Sequence, residues 1–139
     1  MADISITATN VVPATDAFVE TVLLGETVTA GEILVYDPTD DDWVVASNAS
    51  TALSGSANGQ NLRMALSSAN SGQTIAVLRS DSDVSLGAVL AAGRWYVLST
   101  GGSISPESDA TTADYSVLIG YAKTTSLLRF SPISTGVQV

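Results

Sequence analysis

The chain has 139 residues, which fits one domain at roughly 100–200 residues per domain and suffices to bury a core without staples. Fourteen acidic residues against five basic ones give a formal charge of −9, which opposes binding to nucleic acid or an anionic membrane. With no Cys and no His, disulfide scaffolds, thiolate or imidazole metal sites, cysteine nucleophiles and histidine acid–base chemistry are excluded.

The apolar residues come in short bursts separated by Gly, Asn, Asp, Ser and Pro. The first residues, Met1-Ala2-Asp3-Ile4-Ser5, show no basic or apolar leader, so no secretory signal is expected. Ile4, Ile6 and Ala8 alternate with Ser5, Thr7 and Thr9, the period-2 pattern of a half-buried strand. Pro13 follows, cannot donate to a ladder and disfavours helix before it. Ile4–Val12 is therefore extended. Either it is the first strand of its own sheet, or residues 1–16 form an arm that pairs with a neighbour through Ile4, Ile6, Val11 and Val12.

Phe18–Leu24 reads as a strand closed by Gly25-Glu26, and Ile33–Ala46 as a hairpin whose tip is the acidic Asp37-Pro38-Thr39-Asp40-Asp41-Asp42. Ser47–Asn61 reads as a polar loop, with a short helical turn near Asn48–Leu53. Arg63–Leu66, Thr74–Leu78, Val84–Leu86, Trp95–Leu98, Val117–Ala122 and Leu127–Phe130 are further short strands, and Ser103–Ala113 is a second long loop. The longest apolar stretch, around Leu86–Ala92, is far shorter than the roughly 20 residues that span a bilayer. The pattern predicts a single all-β domain over residues 1–139, a compact sandwich or small barrel of short antiparallel strands with long polar loops. One internal echo stands out. Val28–Tyr36 can be laid over Leu90–Leu98, both running from small residues through Gly and one charge into an apolar–aromatic strand; either a β-unit is duplicated, or both are instances of the common Ala-Gly turn before a strand.

Chemistry is sparse. The Asp37, Asp40, Asp41, Asp42 cluster lacks the central Gly and distal Glu of a calcium loop and reads as a solvated hairpin tip. Asp81 and Asp83 share one strand face, but Ser80, Ser82 and Ser85 around them suggest a polar turn rather than the apolar pocket a catalytic acid needs. The glycine-rich pieces lack the Gly-Lys-Ser/Thr ending of a phosphate loop. No catalytic residue, cofactor or metal is expected. Of the adjacent Trp95 and Tyr96, one points outward on a strand and is a candidate interface residue; we assign that role to Trp95.

Several phrases occur in a telling order: Asp3–Val12, Gly25–Gly31, Trp43–Ala46, Gly72–Leu78, Leu86–Gly93, Gly101–Ile104 and Ile119–Lys123. Together they resemble the capsid decoration, or cement, proteins of tailed phages, over nearly the whole chain. The resemblance implies a virion structural protein without enzymatic activity, made in the host cytoplasm and carried on the outer capsid surface. Its implied partners are the major capsid protein and further copies of itself as a dimer or trimer, with no nucleic acid and no membrane. A head- or tail-fibre module binding a receptor or carbohydrate is the alternative, and a small hydrolase a weaker third. The expected capsid or oligomer contacts are Ile4, Ile6, Val11, Val12 and Trp95.

Overall fold

Among the described residues nine strands form, all paired antiparallel: β1 (Phe18–Leu23), β2 (Ile33–Asp37), β3 (Asp42–Val45), β4 (Leu62–Ala65), β5 (Thr74–Ser85), β6 (Trp95–Leu98), β7 (Ile104–Pro106), β8 (Tyr115–Ala122) and β9 (Leu127–Gln138). The computed structural model describes residues 3–47, 62–99, 101–107 and 115–138. The chain is all-β, with 51% of residues in strands and 4% in helix, and its sheet curls into a half-barrel. The expected helical turn at Asn48–Leu53 lies outside the described residues.

Three local expectations are corrected. Residues 4–8 are not a strand. They run irregularly into a 3-10 turn, Ala8–Asn10, and the segment's backbone meets the sheet through Ile4 N–H to the Ile104 carbonyl (3.0 Å) and, farther on, the reciprocal Val12–Ser85 bonds (2.9 and 2.8 Å). Thr74–Leu78 and Val84–Leu86 are not two strands around a polar turn, since β5 runs unbroken through Ser80–Asp83. No turn is needed there because Asp81 is itself satisfied, accepting the Ala14 N–H at 2.8 Å and the Asp83 N–H at 3.0 Å. Finally, the expected loop at Ser103–Ala113 begins with β7, a three-residue strand at the end of the strand order, where Pro106 is tolerated because among the described residues no further strand pairs beyond it.

The echo in the sequence is a repeated structural unit. β1 to β4 with the first half of β5 lie in the order β3-β2-β4-β5-β1; the second half of β5 with β6 to β9 lies in the order β7-β6-β8-β9-β5. β5 is shared: residues 74–80 close the first unit and residues 81–85 open the second. The match extends to single bonds over Leu24–Glu32 and Leu86–Arg94. Leu24 N–H donates to Gln73 and Leu86 N–H to Ser126; Val28 N–H to Ala69 and Leu90 N–H to Thr125; Gly31 N–H to Ala65 and Gly93 N–H to Ala122. The Ala65 and Ala122 N–H groups return bonds to the Glu32 and Arg94 carbonyls, both at 2.9 Å. Gly31 and Gly93 take φ of 93° and 81°, a left-handed turn that disfavours any side chain.

The cores correspond as well. One cluster is Val22, Leu24, Val28, Leu34, Ala65, Ile75 and Val77. Val84, Leu86, Leu90, Tyr96 and Ala122 of the larger cluster stand where Val22, Leu24, Val28, Leu34 and Ala65 do, and Leu128 pairs with Ala122 as Val77 pairs with Ala65. The units differ in how they close. In the first, β1 meets β3 directly, with the Gly25 N–H donating to the Trp43 carbonyl at 2.8 Å. In the second, the N-terminal segment links β7 to β5, with Ile4, Ile6 and Ala8 packed on the core and Val11 buried in it.

Candidate interaction surface

Alternation along β6, β8 and β9 sends every second side chain outward. Trp95 pairs with Tyr121, and Tyr121 pairs with Arg129, so the three form a row across the outer face of the second unit. The Trp95 and Tyr121 rings meet edge to face with centroids 5.3 Å apart, the arrangement their quadrupoles favour. With Gly120 and Ser131 they line an open, mainly apolar groove of about 370 Å³. Trp95 is 44% exposed. Arg129 makes no ion pair and no ring contact with any described residue.

Of the other four basic side chains, three make an ion pair or a ring contact, and Arg94 makes neither with any described residue. Arg63 pairs with Glu20 at 2.7 Å and lies over Trp43, Lys123 pairs with Asp83 at 2.6 Å, and Arg79 lies over the exposed ring of Phe18. A second cleft, lined by Asp16, Phe18, Ser80, Asp81 and Ser82, adjoins the first and shares Arg129 and Ser131 with it. β1 adds further exposed apolar surface in Phe18, Val19 and Leu23.

The five expected contact residues divide. Ile4, Ile6 and Val11 are turned into the chain's own core, because they close the second unit where no strand does. Val12, at 55% exposed, and Trp95 remain available to a partner. Tyr121, Arg129 and Ser131 were not singled out from sequence, although the outward position of Arg129 between the apolar Leu128 and Phe130 is the alternation that marks it. Phe18, Val19 and Leu23 were missed for the opposite reason, since an apolar burst reads as core.

The acidic tip is a genuine cluster. Asp37, Asp40 and Asp42 bring carboxylate oxygens within 4.8 Å of one another, and exposed acidic groups commonly do so without an ion. Asp42 lies over Gly25, where its Oδ1 is closed off from solvent and accepts no hydrogen bond. Desolvation, and then the charges of Asp40, Asp37 and Asp41, hold its carboxyl above the ordinary value. The Tyr36 hydroxyl is also raised, chiefly because it donates to Asp41 at 2.6 Å. A carboxyl whose pKa is raised by folding binds its proton more readily in the folded state. Stability is therefore gained as pH falls through that pKa and lost as pH rises through it. Asp42→Asn keeps the shape without the charge. It is expected to melt above the wild type at neutral pH and together with it in acid, as read by thermal melts across pH; a lower Tm at neutral pH would contradict this.

Asp81 and Asp83 sit in different surroundings, Asp81 at the second cleft and Asp83 outside its lining. Asp81 is buried against two amides, and Asp83 sits in the half-exposed pair with Lys123. Among the described residues no helix is long and apolar enough to cross a membrane. Compared with known proteins, the chain matches no family model, no curated protein and no solved structure.

Proposed function

We propose that the protein is a virion structural protein, a capsid decoration protein that binds the outer face of the major capsid lattice and stabilises it without catalysing a reaction. The observation that carries this reading is a rigid pair of interlocked β-units with apolar and aromatic side chains exposed on two of its strands, β1 and β6. A clamp between neighbouring subunits needs adhesive surface in more than one place, and large exposed apolar side chains mark such surfaces. The order of the sequence phrases, which resembles that of cement proteins, supports the same assignment. The strongly acidic remainder keeps the molecule from clustering nonspecifically on its lattice.

The groove at Trp95 and Tyr121 favours one second reading, a fibre module that stacks a sugar ring on the tryptophan. Electron microscopy of particles mixed with the purified chain separates the two. Regular density over the capsid surface is expected. Density at fibre tips, or binding to immobilised glycans with bare capsids, would overturn the decoration role.

A further inference from the structure

The repeat makes the outer face of the second unit informative. In the first unit, the corresponding row is Ile33–Met64–Leu78, paired in the same order on β2, β4 and β5 as Trp95–Tyr121–Arg129 on β6, β8 and β9. Ile33, Met64 and Leu78 are each 0% exposed and belong to the larger core. The same face of the same unit is thus a packing face in one copy and open in the other. Its residues have changed in kind, from the aliphatic side chains of a permanent interior to Trp, Tyr and Arg, the types that dominate binding energy at protein interfaces.

We propose that this row is where a second copy of the chain docks, the two related by a two-fold axis through Tyr121. The row is complementary to itself under that operation. It carries an aromatic ring at one end, an unpaired guanidinium at the other and Tyr121 between them. Turning one copy over the other sets Arg129 on the partner's Trp95 and the reverse, giving two cation–π contacts around a tyrosine centre. Arg129 is well suited to this, because in a chain of charge −9 it forms no ion pair with any described residue. An aromatic face meets that cation while bringing no further negative charge into a contact between two acidic molecules. Gly120 and Ser131 keep the centre of the groove open for the incoming ring.

This inference stands on the row and its buried counterpart, and it does not require the partner to be a capsid. Sedimentation equilibrium of the full chain tests it. The wild type is expected to be a dimer, and Trp95→Ala and Arg129→Ala each to weaken dimerisation by about 30-fold or more with unchanged far-UV circular dichroism. Phe18→Ser, on β1, should leave the dimer intact. A wild type that stays monomeric, a trimer, or a dimer indifferent to both substitutions would overturn the proposal. So would a dimer abolished by Phe18→Ser alone. A monomer that still decorates capsids would overturn this assembly and leave the decoration role standing, whereas a dimer lost on Trp95→Ala that coats no capsid would do the reverse.

Discussion

Gly120→Ala is expected to prevent stable folding. A Cβ at position 120 would stand 2.1 Å from the Arg129 carbonyl oxygen, which is backbone and cannot rotate away. Gly120 lies in β8 opposite Phe130 of β9 and Tyr96 of β6, so relief would mean forcing apart the central strands of the second unit. Both partners are buried in the larger core, so separation would also open their packing. The loss should exceed about 4 kcal/mol, in the range reserved for broken cores and strained backbones. Gly72→Ala is the contrasting case. It has a φ of 87° but nothing within 4 Å, so it should lose only the ~1–2 kcal/mol of a left-handed alanine. Urea denaturation followed by circular dichroism would show the difference; equal effects would mean that β8 and β9 part more easily than their register implies.

The second large effect concerns the two cores. Leu24 and Leu86 occupy equivalent positions, each with a backbone N–H closing the turn of its unit and a side chain fully enclosed. Truncation of either to alanine should lose about 2–5 kcal/mol. The side chains belong to different clusters, so the double variant should lose close to the sum. It should nevertheless unfold in one transition, because β5 belongs to both units. Two separate transitions in the Leu24→Ala variant would show that the units fold apart.

Much of the fold was legible because these strands obey period 2. The hairpin from Ile33 to Ala46 pairs Asp37 with Asp42 at its tip, as the apolar–turn–apolar pattern suggests. The strands at Trp95, Val117 and Leu127 likewise fall where β-branched and aromatic residues concentrate. The failures are of one kind. Alternation at Ile4 and Ile6 reports that two side chains face the same way, not that a strand lies beside them to take their backbone bonds. Ser80–Asp83 read as a turn because its polarity carries no sign that Ala14 would supply an amide to Asp81. The site was half legible. Trp95 was visible as one of two adjacent aromatics on opposite faces, whereas Tyr121 and Arg129 gain meaning only from the register that aligns three strands. The repeat showed itself through Ala-Gly before a strand, but only the matching bonds to Ala65 and Ala122 establish it.

The shared strand has a consequence for how such a chain can grow. The second unit takes its opening strand from the last strand of the first, so neither half could be cut out whole: the second would lack the lead-in that β5 provides. Addition is easier than excision. β9 continues from Leu127 to Gln138, well beyond the stretch paired with β5, much as β5 continues past the last residue paired with β1. The architecture therefore has a direction, in which β5 ends the first unit and begins the second while the N-terminal segment returns to close the second.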